Sequence, residues 1–249
     1  MPVTEVNGVT IHYETAGEGF PLVLLHGIGG NARSWRRQLV ALSADFKVIA
    51  WDAPGAGQSS DPIGKPSMRF HADCLHGLLD ALNLPETFLV GHSTGGVIAQ
   101  EFYRAYGAYV RKLIIADTRT GGNKSLLEQP LRMIRTQNPA QMAAERSPRL
   151  LSAAAPAALI QEVASIMCEV HPAGYEFAAI AMSEADTREV LRNLRVPTLL
   201  IWGDSDQITP LWEEVPPGAK LEIIEHAGHL CYVEQPEKFN SIVRKFLLE

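Results

Sequence analysis

Hydrophobic residues come in short blocks along this chain, and the spacing within the blocks alternates between two periods. Val3 to Val6 and Val9 to Tyr13 flank Asn7-Gly8. That dipeptide accepts the positive backbone angles of a tight hairpin turn. Apolar strand-like runs follow at Pro21 to Leu25, Lys47 to Trp51, Phe88 to Val90 and Leu113 to Ala116. Two more come late in the chain, at Thr198 to Trp202 and Leu221 to Ile224. Between these runs the period becomes helical. Trp35, Leu39 and Leu42 form one helix face, and Leu75, Leu78, Leu79 and Leu82 form another. Phe239, Val243 and Phe246 close the chain with a third. A leading hairpin followed by alternating strands and helices predicts a mostly parallel, eight-stranded α/β sheet with helices on both faces. Ligands of such sheets bind at the carboxyl ends of the strands.

From Arg119 to about Ala185 the strand signal stops. Leu127, Leu131 and Ile134 fit one helix face, and Leu159, Val163, Ile166 and Val170 fit another. Pro130, Pro139, Pro148, Pro156 and Pro172 punctuate the region. The pattern predicts a helical insertion over 119–185 within a core made of 1–118 and 186–249. The Ala-rich stretch 153–158 is expected to be helix of that insertion. No internal repeat is present.

The residues with chemical potential sit just after predicted strands. Gly91-His92-Ser93-Thr94-Gly95-Gly96 follows Phe88 to Val90 and precedes an amphipathic stretch. Strand, Gly-x-Ser-x-Gly and helix are the context of a nucleophile elbow, with Gly91 and Gly95 as the small flanking residues. Such a turn strains the serine backbone and exposes its hydroxyl above the strand ends. A neutral serine hydroxyl needs a base, and His229 follows the last predicted strand. The base needs an acid to fix its tautomer, and Asp204 and Asp206 both follow Thr198 to Trp202. The amide of Thr94, the residue after the serine, is an expected donor to a developing oxyanion.

With His26-Gly27 after the third strand, Asp52 to Ser59, the Gly91 to Gly96 elbow, Gly203-Asp204-Ser205-Asp206 and Gly228-His229, in this order, the chain resembles the α/β-hydrolase superfamily over essentially its whole length. The resemblance implies Asp206 as the acid, since Gly-x-x-Asp is followed here by Gln207-Ile208-Thr209-Pro210. Asp204 is then a turn residue, and Asp117, after the preceding strand, is a further candidate acid whose expected role is to end that strand. The resemblance also implies the Ile28 amide as the second oxyanion donor, with His26 and Gly27 supporting its loop. It makes 119–185 a cap over the site. Serine at position 93 disfavours the branches that attack with aspartate. The closest likeness is to compact carboxylesterases and 3-oxoadipate enol-lactonases, which implies hydrolysis of an ester or lactone through an acyl-serine intermediate. Carbon–carbon hydrolysis of dienoic diketones and cofactor-free perhydrolysis would use the same residues. No metal or organic cofactor is required.

Other patterns carry less. Gly27-Ile28-Gly29-Gly30-Asn31-Ala32, with Asp52 ending the next strand, imitates a dinucleotide-binding fingerprint. That reading, an oxidoreductase, leaves the elbow, Asp206 and His229 unexplained, as does that of a non-catalytic ligand receptor. Net charge of -6 over 249 residues, with no basic block, argues against nucleic acid or an anionic membrane as partner. Cys74, Cys168 and Cys231 are too scattered for a disulfide framework or metal site. No leader or membrane-spanning run is read, so the expected setting is cytoplasmic, as monomer or homodimer. His92 is expected to point away from the site, and His226 to be a solvated strand-end residue. The insertion holds Met133, Met142, Met167 and Met182, which suit either an adaptable pocket or helix packing. It also carries Arg119, Lys124, Arg132, Arg135, Arg146 and Arg149, one of which is a candidate for a substrate carboxylate.

Overall fold

The computed structural model describes every residue except 1, 121, 123–127, 210, 213 and 214. Lys124, Leu127 and Pro210, singled out above, lie outside the described residues. The strands are β1 Val3–Val6, β2 Val9–Ala16, β3 Pro21–Leu25, β4 Lys47–Trp51, β5 Thr87–His92, β6 Val110–Ala116, β7 Thr198–Gly203 and β8 Lys220–Ile224. They form one eight-stranded sheet in the order β1-β2-β4-β3-β5-β6-β7-β8. The pairs β1/β2 and β2/β4 are antiparallel, and every later pair is parallel. In the first hairpin Asn7 and Gly8 have φ of 50° and 79°, as the turn chemistry requires.

The helices are α1 Arg36–Leu42, α2 Met68–Ala81, α3 Thr94–Tyr106, α4 Glu128–Thr136, α5 Pro139–Arg146, α6 Ala157–Met167, α7 Pro172–Glu184, α8 Arg188–Arg192, α9 Cys231–Glu234 and α10 Pro236–Leu248. Successive strand side chains point to opposite faces, and both faces are covered. Leu22, Leu24, Val48, Val90 and Ile201 pack with Leu42 of α1 and Val243 of α10. Val23, Leu25, Ile49, Leu89 and Leu200 pack with Leu75 of α2 and Phe102 of α3. Burial on both faces is why the central strands read as continuous apolar runs rather than as alternation.

Helices α4 to α7 lie between β6 and β7 in the chain. Met133, Met142, Val163, Met167 and Tyr175 belong to the same apolar cluster as α1 and α10, so this helical segment is continuous with the core on that side. The Ala-rich stretch is not helical throughout. Residues 153 and 154 form a turn and α6 begins at Ala157. Pro156 explains this, because the residue before a proline is steered away from helical angles. Pro156 itself, at φ -62° and ψ 144°, is the cap. Likewise Ala32–Trp35 is a 3-10 turn ahead of α1, not its first turn. Among the described residues no helix is long and apolar enough to cross a membrane.

The contact that seats α7 is backbone on backbone. Gly55, at φ 78°, lies in the loop after β4, and a Cβ there would come within 2.3 Å of Gly174 Cα. A Cβ on Gly174 would meet Gly55 O at 2.2 Å. No rotamer relieves such a clash, so Gly174→Ala must displace α7 from the loop. The expected loss is about 1–3 kcal/mol, the usual cost of overpacking, read as a lower urea midpoint. An unchanged midpoint would mean that α7 is not held by this contact.

Candidate active site

The tight turn between β5 and α3 is built by exclusion. A Cβ on Gly91 would lie 2.4 Å from Gly95 O, one on Gly95 2.2 Å from Leu25 O, and one on Gly96 2.1 Å from Thr118 Oγ1. With no space on these sides, the chain turns at Ser93, which has φ 52° and ψ -120°. That is a rare conformation for a residue with a side chain, costing about 1–3 kcal/mol. Hydrogen bonds hold it: Ser93 N donates to Ala116 O at 3.0 Å, and the amides of Gly96 and Val97 donate to Ser93 O at 2.9 and 3.2 Å. Thr94 is the first residue of α3. Its N–H therefore has no acceptor within the helix. The Thr94 hydroxyl donates to Met182 Sδ at 3.1 Å.

His229 and Asp206 meet from separate loops. His229 Nδ1 lies 2.9 Å from Asp206 Oδ2, with the two side chains 4% and 1% exposed. Asp206 Oδ1 accepts the amides of Ile208 at 2.7 Å and Thr209 at 3.1 Å. Burial alone would raise the Asp206 pKa, but His229 and these amides outweigh it and hold the carboxyl below its ordinary value. An ionised Asp206 fixes the Nδ1–H tautomer of His229 and leaves Nε2 with its lone pair free. Ser93 and His229 line one cavity of about 280 Å³, together with Gly27 and Ile28. The Ser93 hydroxyl makes no hydrogen bond to a described residue, His229 included. Such bonds are often open in ligand-free sites.

The chain's match to known proteins covers the elements just described. Residues 22–242 match the model of the family described as "Alpha/beta hydrolase family". The chain belongs to the alpha/beta hydrolase family. Among its relatives, the RutD protein of Azorhizobium caulinodans, named for carbamate hydrolysis, is 30% identical over 99% of this chain and 98% of its own. A 3-oxoadipate enol-lactonase of Acinetobacter baylyi is 27% identical over 94% of this chain and 92% of its own. Among solved structures, a thermophilic esterase from Thermogutta terrifontis superposes with a TM-score of 0.90 at 31% identity. That match covers 98% of this chain and 96% of the esterase.

Within this alpha/beta hydrolase chain, several site neighbours have defined tasks. His26 is buried; Nδ1 donates to Gly27 O at 2.8 Å and Nε2 accepts the Ala53 amide at 3.0 Å. It ties the exit of β3 to the exit of β4, and burial lowers its pKa. Asp52 is spent inside the fold. Its carboxylate is 2.7 Å from His12 Nδ1 and accepts the amides of Ala32 at 2.6 Å and Gln58 at 2.8 Å. Buried among these partners, Asp52 does not face a nucleotide ribose, so the fingerprint-like glycines serve the turn after β3. Asp204 is exposed and accepts the Ala227 amide at 3.2 Å, as a turn residue would. His226 is exposed, as expected. His92 departs from expectation. Its Nε2 donates to His229 O at 2.7 Å, and its ring lines the cavity. The sequence neighbour of Ser93 thus supports the backbone of His229. Glu234, which carried no signal in the sequence, accepts the amides of Gly228 at 2.6 Å and Ser152 at 3.0 Å. It joins the His229 loop to the helical segment.

Asp117, at the end of β6, is fully buried with φ 45°. One carboxyl oxygen accepts the Gly203 amide at 2.9 Å, and the other is buried without a partner. Asp117, Asp206 and His229 each bring a ligand-type atom within 4.8 Å of the others. Among the described residues this is the set with the spacing to hold a metal ion. Two of its donors, His229 and Asp206, are already paired with each other. Burial pushes the Asp117 carboxyl well above its usual range; the nearby Cys231 thiol and the Gly203 amide oppose this, and Asp206 adds to it.

The raised pKa of Asp117 gives a pH prediction. A carboxyl with a raised pKa in the fold binds a proton more tightly than in the unfolded chain, so its contribution is complete below its ordinary pKa of 3.8 and declines as pH rises above it. Asn at 117 keeps the acceptor for Gly203 and never ionises. From pH 4 to pH 8, Asp117→Asn should gain stability relative to wild type, measured as the difference in urea midpoints. A difference that stays constant across that range would contradict a raised pKa at Asp117.

Proposed function

We propose that this protein is a serine hydrolase that cleaves a carboxylic ester or lactone through an acyl-serine intermediate. The observation that carries the reading is the strained turn at Ser93 opening into the same cavity as the Asp206-paired His229. In this reading His229 Nε2 takes the Ser93 proton as Oγ attacks the carbonyl carbon. The amides of Ile28 and Thr94 hold the oxyanion, each contributing roughly 3 kcal/mol to the transition state. The tetrahedral species collapses to an ester of Ser93 as His229 returns the proton to the leaving oxygen. Water then attacks the acyl carbon with His229 again as base, and Ser93 is released protonated. Asp206 stays ionised throughout and stabilises the imidazolium.

The family supports hydrolysis, and the esterase and enol-lactonase named above support this substrate class. We read 1–118 and 186–249 as the catalytic core and 119–185 as a cap. Met167 and Met182 of that cap line the cavity, whereas Met133 and Met142 are packed in the core. Three free cysteines, Cys74 and Cys231 buried and Cys168 exposed, fit a reducing cytoplasm.

Ser93→Ala should abolish turnover of a p-nitrophenyl ester and block labelling by a fluorophosphonate. Asp206→Asn should lower kcat by about 10⁴, as loss of the tautomer-fixing acid does elsewhere, while Asp204→Asn keeps most of it. Undiminished turnover in the Ser93 variant, or the reverse ranking of the two aspartates, would overturn the assignment.

A further inference from the structure

The cavity is more basic than the chain around it. Four arginines line it, Arg37, Arg119, Arg146 and Arg149, against one carboxylate, Glu162, in a protein of net charge -6. They are not equivalent. Arg37 is neutralised by a two-pronged contact with Glu162, both bonds 2.7 Å. Arg119 is half-buried and donates to Ile208 O at 2.6 Å, beside Asp206. Arg149 is exposed. Arg146 differs from all three. Its Nε is sealed from solvent and has no hydrogen-bond partner, and no described carboxylate pairs with it.

A second donor shares the cavity. Tyr175 is 2% exposed, and its hydroxyl is buried without a partner. Leaving one such group unsatisfied costs roughly 1–3 kcal/mol, and more for a charged one. Two such donors in one cavity, besides the unpartnered acceptor Nδ1 of His92, call for an explanation in the cavity's use. The tyrosine is also firmly placed. It follows Gly174, which is locked against Gly55, and its ring edge lies 3.6 Å from where a Cβ on Gly29 would be. It therefore stands over the turn that carries Ile28. Burial raises the Tyr175 pKa, against the opposing charge of Arg146, so the hydroxyl stays a donor.

We propose that Tyr175 Oη and the Arg146 guanidinium form an anion subsite that takes a carboxylate carried by the substrate away from its scissile bond. The inference rests on the serine-hydrolase reading and narrows it to acids with a second, esterified carboxyl group, or lactones bearing a free one. A planar guanidinium and a hydroxyl supply parallel donors to a carboxylate. Val163, Ile166 and Met167 line the same cavity and suit the apolar carbons between the two ends.

The test compares esters matched in chain length, monomethyl adipate against methyl hexanoate. Wild type should favour the charged ester in kcat/KM by about tenfold or more, the worth of one hydrogen bond to a charged group. Arg146→Met and Tyr175→Phe should each lower that preference severalfold, mainly through KM. Equal use of the two esters by wild type, or a preference unmoved in both variants, would overturn the subsite. Calorimetry with Ser93→Ala separates this from failure of the hydrolase reading. That variant should bind monomethyl adipate, and adding Arg146→Met should weaken binding at least tenfold. If wild type cleaves neither ester yet this Arg146-dependent binding is found, the hydrolase reading fails and the subsite stands. Turnover of the neutral ester without such binding leaves the hydrolase and removes the subsite.

Discussion

The close approach of β5 to α3 is the constraint on which the site depends. Gly91 and Gly95 are in backbone contact, Gly95 abuts the Leu25 carbonyl of β3, and Gly96 abuts Thr118 after β6. One turn is thus wedged between the ends of the two neighbouring strands. Its geometry cannot relax without moving the sheet, so the unfavourable φ of 52° at Ser93 is maintained by the whole core. Parallel pairing of β3, β5, β6, β7 and β8 then puts the exits of these strands on one edge. Ile28, Ser93, Asp117, Asp206 and His229 come together because they follow strands, not because they are near in sequence.

Around that edge a layer of buried polar contacts fixes the loops against one another. His26 ties the β3 exit to the β4 exit, and Asp52 gathers amides from both sides. His92 holds the His229 carbonyl, while Glu234 holds the His229 loop to the segment at Ser152. Each contact replaces solvation lost on burial. Together they hold in register groups that the chain delivers from five separate loops. Asp117 fits this layer as a buried carboxyl whose pKa is raised by burial and, in smaller part, by the neighbouring Asp206.

Much of this was legible in the residues. Blocks of apolar positions located the central strands, because strands buried on both faces must be apolar throughout; the partly exposed β1 was legible from the Asn7-Gly8 turn beside it. The elbow was legible because a backbone that tight admits only glycine at its flanks. His229 and Asp206 were legible from their place after strands and from family resemblance. His92 was misjudged because the group that fixes its ring, the His229 carbonyl, lies 137 residues away in the chain. The start of α6 was misjudged because helix propensity in the alanines is overridden by one proline. Glu234 had no signal, since its partner Ser152 lies 82 residues away in the chain.

The sequence by itself determined the order of strands and helices, the strained serine and the residue types able to act with it. These follow from local physics: side-chain periodicity, turn sterics and the chemistry of single groups. Only the tertiary structure decided that Asp52 is consumed by His12 and backbone amides, that His92 holds the His229 carbonyl, and which of the arginines after β6 remains unpaired beside Tyr175. Those outcomes depend on which loops the sheet brings together and on which charges are buried there. Such distances are set by packing across the whole fold, and no stretch of sequence encodes them alone.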